Sequence, residues 1–228
     1  MPSAYEMRFA NGKIDRIDTC VEEDNVYVKV TDYKTGKKAF DITLLYHGLQ
    51  LQLMVYMDMA MKFEKRKYPE KEIVPAGVFY YRLDDPFVAK QQKETVDTAI
   101  LKELRPDGMI SADEKVLRHL DHTLEKESLA VPVKYNKDGS VSKGSKVVSE
   151  SDFRMMMNYA LKKVEQAYEE IQQGETAVLP YRRGDETGCD YCKYRHICGF
   201  DVKVPGYEYR DIDKLKSEEV LMEMRKGE

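Results

Sequence analysis

Residues 25–34 read NVYVKVTDYK, and this alternation leaves few folds open to the chain. In an extended strand Val26, Val28 and Val30 share one side, and Tyr27, Lys29 and Thr31 the other. If the strand continues to Lys34, the same period puts Asp32 and Lys34 on one side. An earlier strand over about residues 12–20, joined through Glu22 to Asn25, forms a hairpin with it and brings in Asp15. Two carboxylates can hold a hard divalent cation through oxygen. Such a cation lowers the pKa of a bound water and neutralises charge on a phosphate. A neighbouring lysine orients the water or stabilises the developing charge. The pattern suits phosphodiester cleavage. It also suits a solvated hairpin in which Thr35-Gly36 turns the chain and Asp32 and Lys34 are a surface pair.

The rest of the chain supplies elements around this hairpin. A helix is expected from Asp41 to about Phe63, with Asp41 or Thr43 as N-cap. Gln52 and Tyr56 lie one turn apart on it. Met54, Met57 and Met61 read as core filler, and His47 as a surface or groove residue. A third strand runs from Ile73 to Arg82 and ends at Asp84-Asp85-Pro86. Residues 87–150 read as an insertion, with helices near 94–104 and 113–127 separated by Pro106-Asp107-Gly108. Within it, Val131 to Tyr135 and Val141 to Val148 form a hairpin turning at Asp138-Gly139. Its Lys134, Lys137, Lys143 and Lys146 either touch a nucleic-acid backbone or guard exposed strands. A long helix over 152–173, capped by Ser149 or Ser151, stops at Gly174. Arg182-Arg183 is a candidate phosphate contact, 204–210 is extended, and a last helix covers 212–225.

With 228 residues the chain can build one substantial core and a small appended piece. No apolar run is long enough to span a bilayer, and no membrane role is expected. The default location is cytoplasmic, and the chain in isolation is expected to be monomeric. The formal charge of −4 argues against bulk electrostatic coating of nucleic acid, so a partner would supply much of the grip. With no tryptophan, base stacking would fall to the 16 tyrosines. No Gly-rich phosphate loop ends in Lys-Ser or Lys-Thr, so ATP hydrolysis is not expected.

Of four cysteines, Cys189, Cys192 and Cys198 form a metal-ligand spacing, C-x2-C-x5-C. A zinc knuckle completed by His196 is one use of it. Cys20 is either a further ligand or a buried thiol.

Taken together, G-x-I-D-R-I-D at residues 12–18, V-x-D-Y-K-T-G at 30–36 and Q-x-x-x-Y at 52–56 resemble the RecB-like branch of the PD-(D/E)XK nucleases. The stretches VPVKYNKDGSVSKGSKVVSE and CDYCKYRHIC extend the resemblance to the C-terminal nuclease domain found in the AddB protein of AddAB-type bacterial helicase–nucleases. The resemblance implies an α/β restriction-endonuclease-like core, with a mixed sheet flanked by helices, over residues 1–200. A helical and β-hairpin insertion, a Cys-rich segment and an extension over 201–228 complete the chain.

It further implies that Asp15 and Asp32, with the Tyr33 carbonyl, bind Mg2+ or Mn2+. Lys34 would be the catalytic lysine, and Gln52 and Tyr56 its neighbours. Cys189, Cys192 and Cys198 would hold a [4Fe–4S] cluster whose fourth ligand lies upstream. DNA and the AddA-type helicase/nuclease protein of the complex would be partners, the reaction being cleavage of the 5′-ended strand during recombinational repair. Family members carry an upstream helix with a further acidic or histidine residue, for which residues 1–11 leave no room; a piece of a larger polypeptide is therefore expected. A free-standing exonuclease of the CRISPR-adaptation type and a non-catalytic metal-binding module are the alternatives.

Overall fold

The computed structural model describes residues 13–36, 38–83, 86, 88 and 95–227. In chain order the elements begin with β1 (Arg16–Val21), β2 (Asn25–Lys34), α1 (Ile42–Tyr46), α2 (Gln52–Lys67) and β3 (Glu72–Arg82). Next come α3 (Val96–Glu103), β4 (Asp107–Ser111), α4 (Glu114–Leu120), β5 (Val147–Val148) and α5 (Glu150–Gln172). The last are β6 (Tyr181–Arg183), β7 (Glu186–Thr187), α6 (Arg195–Cys198), β8 (Arg210–Asp211) and α7 (Ser217–Lys226). The chain divides into two compact units: Met1–Phe40 with Gln52–Asn158, and Asp41–Leu51 with Tyr159–Glu228.

The first unit is built on a mixed sheet in the order β1-β2-β3-β4-β5. β1 and β2 form the expected antiparallel hairpin. β2 and β3 run parallel, which requires a crossover connection. Within this unit α2 packs on β2 and β3. Its buried residues Leu53, Met54, Met57, Ala60, Met61 and Glu64 recur at helical spacing and make one stripe. β2 and β3 are interior strands with apolar residues buried on both faces, so their alternation marks the sheet's two sides rather than core against solvent. Pro75, which cannot donate to a ladder, is accommodated where the β2–β3 register slips between Val28 and Lys29. The other main cluster joins Tyr27, Phe79 and Ile110 to Val116 and Leu117 of α4 and to Val131 and Val133.

Several expectations change. The helix expected from Asp41 to Phe63 is two helices, α1 and α2. Asp41 does cap α1, accepting from Thr43 N–H at 2.8 Å. Gly48, at φ +80°, then ends it in the left-handed region that favours glycine. The Gln50 side chain turns back to accept from Asp41 N–H at 3.0 Å.

The stretch read as an insertion supplies β4 and β5 to the central sheet. Pro106-Asp107-Gly108 is not a separator but the start of β4. Gly108 is needed there because a Cβ would sit 1.8 Å from the Val78 carbonyl oxygen. α4 stops at Leu120 because Asp121 binds Thr123 N–H at 2.9 Å and the Ser128 hydroxyl at 2.5 Å. Only isolated bridges, Glu127 to Lys134 and Tyr135 to Val141, appear where a regular hairpin was expected. Val147–Val148 instead pairs parallel with β4. The Asp138-Gly139 turn is present, with Gly139 at φ +82°. The Asp84-Asp85 part of the expected strand stop, and the start of the helix near 94, lie outside the described residues.

In the second unit β6 lies between β7 and β8. Tyr159 donates to the Tyr46 carbonyl at 2.9 Å, and the two rings stack at 5.7 Å. Arg182 makes two bonds to Asp211, at 2.6 and 2.9 Å, and Arg183 pairs with Asp41. The arginine pair expected to meet phosphate is thus committed to carboxylates. β8 and α7 complete this unit, with Val220 and Met224 of α7 fully buried.

Gly108→Ala should cost about 3 kcal/mol or more, because backbone and not a movable side chain occupies the space. A urea melt checks this, with Gly144→Ala, which meets nothing within 4 Å, as the neutral comparison. Burial pushes the Asp41 carboxyl up, but the Arg183 and Thr43 bonds outweigh it and leave it below its ordinary value. Its contribution to stability is present above about pH 4 and lost as pH falls through the lowered value. Asp41→Asn should therefore flatten the acid limb of a melting-temperature profile.

Candidate active site

The β1–β2 register brings the two expected carboxylates to one place. Arg16 pairs with Thr31, so the next position sets Asp15 opposite Asp32. The chain bends at Asp15, ending the ladder. Its carboxylate replaces the missing ladder bond and accepts from Tyr33 N–H at 3.0 Å. Asp15 is exposed, whereas Asp32 is only 3% exposed.

Asp32 Oδ2 lies 2.5 Å from Lys34 Nζ, as the shared strand side requires. The contact has ion-pair distance but not hydrogen-bond alignment, and Oδ2 is buried without a hydrogen-bond partner. A buried acceptor left in that state is costly. Lys34 Nζ also donates to Gln52 Oε1 at 3.3 Å. Gln52 in turn donates through Nε2 to the Tyr56 hydroxyl at 3.0 Å. Gln52 opens α2 and Tyr56 lies one turn on, so both face the end of β2. One continuous line, Asp15–Tyr33–Asp32–Lys34–Gln52–Tyr56, joins the six residues that the sequence picked out.

The sequence did not single out Tyr80 or Lys38. Tyr80 is the register partner of Asp32 in the parallel β2–β3 pair. Its hydroxyl is buried without a hydrogen-bond partner. Burial, aided by the Asp32 charge, pushes its pKa up to about 12. Lys38 Nζ lies 4.9 Å from the Tyr80 ring centroid. Burial first, then the Lys34 charge, lowers the Lys38 pKa, with Asp32 opposing. Only the β2–β3 pairing could have revealed Tyr80, and one strand's period does not contain that pairing.

The donor set fits a hard divalent cation. It offers carboxylate oxygens on two adjoining strand positions, one of them unpartnered and buried. Among the described residues no group of three or more histidine, cysteine or acidic side chains gathers. The coordination would therefore be completed by main-chain carbonyl, water and phosphate oxygens, as suits magnesium.

The cysteine triplet lies in the second unit. Cys192 is exposed, and Cys189 and Cys198 are half-buried; all are free thiols. Cys192 N–H bonds the Cys189 carbonyl at 3.3 Å, and Cys198 ends α6 before Gly199 at φ +71°. Three thiols are the chemistry of a soft-metal or iron–sulfur site. Cys20 in the first unit has its Sγ 3.7 Å from His119 Nδ1 and packs against the cluster around Tyr27. Of the lysines thought to meet nucleic acid, Lys146 is bound to Asp107 and to the Phe40 carbonyl, both at 2.7 Å. Lys134 reaches Glu127 at 4.0 Å, while Lys137 and Lys143 are exposed.

A mixed sheet with helices on it and an Asp/Asp/Lys cluster at the ends of two strands defines a metal-dependent nuclease fold. Residues 1–199 match the family model of the PD-(D/E)XK nuclease superfamily, and the chain belongs to that superfamily. Its relatives include AddB-type proteins of ATP-dependent helicase/deoxyribonucleases. The one from Alkaliphilus metalliredigens is 38% identical over 97% of this chain, which covers 19% of that protein. The one from Lachnoclostridium phytofermentans is 39% identical over 96% of this chain and 20% of its own length. That of Clostridioides difficile is 37% identical over 95% and 19%. The chain spans about a fifth of the length of these relatives. No helix among the described residues is long and apolar enough to cross a membrane.

Saturating Mn2+ should raise the melting temperature, since a ligand at 100 times its Kd adds about 2.7 kcal/mol. Asp32→Ala should abolish the rise and Asp15→Ala should reduce it, as read by differential scanning fluorimetry.

Proposed function

We propose that this chain is the Mg2+-dependent deoxyribonuclease domain of a helicase–nuclease, hydrolysing DNA phosphodiester bonds at double-strand ends for recombinational repair. The observation that carries the reading is the unpartnered Asp32 oxygen set between Asp15 and Lys34. The likeness to helicase/deoxyribonuclease proteins of the AddB type supports assigning the domain to a complex, with an AddA-type protein as partner and cleavage of the 5′-ended strand as its task.

Asp15, Asp32 and the Tyr33 carbonyl would hold the cation, which when bound supplies a lowered water pKa and charge neutralisation at phosphate. Lys34 holds the attacking water through Nζ and stabilises charge on the phosphate oxygens. The water oxygen bonds to phosphorus as the bond to the leaving sugar oxygen breaks. One water proton is lost on attack, and one is gained by the leaving oxygen. Gln52 fixes the Lys34 ammonium, and Tyr56 fixes Gln52, so the lysine is set before substrate arrives. Cys189, Cys192 and Cys198 would bind three corners of an iron–sulfur cluster with a structural role.

Release of nucleotides from single-stranded DNA in Mg2+ tests the reading. Lys34→Ala should lower the rate about 100- to 10,000-fold. Retained Mn2+ binding by that variant separates lost chemistry from lost folding. Gln52→Ala should give a smaller loss, and an unchanged Lys34→Ala rate would contradict the assignment. Anaerobic reconstitution with iron and sulfide should give visible charge-transfer absorption that Cys192→Ser removes; a colourless protein with stoichiometric zinc would favour a zinc site.

A further inference from the structure

We infer that Lys38 is a phosphate-binding residue of this site, its ammonium taking a non-bridging oxygen of the DNA strand beside the Asp15–Asp32–Lys34 cluster. The inference rests on the nuclease reading and extends it to substrate contact.

Two ammonium groups share one buried ring. Lys34 Nζ lies 5.6 Å and Lys38 Nζ 4.9 Å from the centroid of Tyr80, the residue paired with Asp32 across the β2–β3 ladder. Tyr80 is 2% exposed, so its ring is a fixed platform and not a mobile neighbour. Lys34 is committed to Asp32 and Gln52. Lys38 is exposed, and among the described residues no carboxylate lies within ion-pair distance of it. Such a cation is held by its stem and ring while its charge remains free for an anion.

The loop that carries Lys38 is tied at both ends. Leu83 N–H bonds the Lys34 carbonyl at 2.9 Å. Further along, Phe40 is buried, and its N–H bonds Asp107 at 2.6 Å. Lys146 closes the second tie by bonding both Asp107 and the Phe40 carbonyl. The short span between these ties confines Lys38 to the mouth of the site.

Charge balance gives the same assignment. Asp15 and Asp32 are offset by a divalent cation. Lys34 then balances the hydroxide that attacks. The phosphodiester brings one more negative charge, which only Lys38, among the side chains assembled here, neutralises. A low-dielectric site that closes with zero net charge binds the reacting group more tightly than one left negative.

The test uses the whole chain and a short fluorescein-labelled oligothymidylate, with Ca2+ in place of Mg2+, followed by anisotropy across a salt series. Lys38→Ala should weaken binding several-fold and reduce the slope of log K on log[salt] by about 0.7, the loss of one single-strand phosphate contact. Lys38→Arg should keep the slope, and Lys38→Gln, which preserves stem length, should behave as alanine. A structural role would not change a salt slope, so slopes equal to wild type in both neutral variants overturn the inference. If wild type cleaves in Mg2+ and the variants bind alike, only the Lys38 assignment falls. If wild type neither binds nor cleaves, the nuclease reading falls and this inference with it.

Discussion

The arrangement depends on one carboxylate buried at the end of an interior strand. Asp32 is almost fully enclosed, yet one oxygen has an ion contact and no aligned hydrogen bond. A group in that state costs stability unless something compensates it. Within the chain the compensation is Lys34, and the rest of the site keeps Lys34 in place. β2 supplies the parity, α2 supplies Gln52, and Tyr56 fixes the Gln52 amide. The geometry reads as a cation site held ready by a lysine counter-charge.

The core explains how such a feature is tolerated. β2 and β3 are buried on both faces, and Val28, Val30, Val78 and Phe79 are all but excluded from solvent. Met54 and Met57 fill the space under α2, each such side chain contributing about 1.5–3 kcal/mol on burial. That packing holds the strand ends rigid, so the unpaired polar groups of Asp32 and Tyr80 cannot escape to water. Strand pairing ends at Asp15, where a side chain replaces a ladder bond. The transition from regular sheet to active site occurs at a single residue.

Much of this was legible because the site is local in sequence. Period two fixed the Asp32–Lys34 side, helical period linked Gln52 to Tyr56, and the hairpin brought Asp15 opposite Asp32. What was not legible depends on non-local pairing. β4 looked like a turn because Pro106, Asp107 and Gly108 are turn residues; its strand character comes from close approach to Val78 across the sheet. The break at Gly48 was hidden by an apolar pattern that continues through it. Arg182 and Arg183 looked free for phosphate because Asp211 and Asp41 are distant in sequence. Tyr80 read only as an apolar strand position, and its place beside Asp32 needs the parallel register.

The most direct test of the account is a crystal of the protein soaked in Mn2+, read by its anomalous difference map. The account predicts one strong peak about 2.1 Å from carboxylate oxygens of both Asp15 and Asp32, with Lys34 Nζ drawn off the Asp32 oxygen it now faces. A map with no peak there, or with manganese bound elsewhere while Asp32 keeps only its lysine, would contradict the claim that this buried carboxylate is a metal ligand.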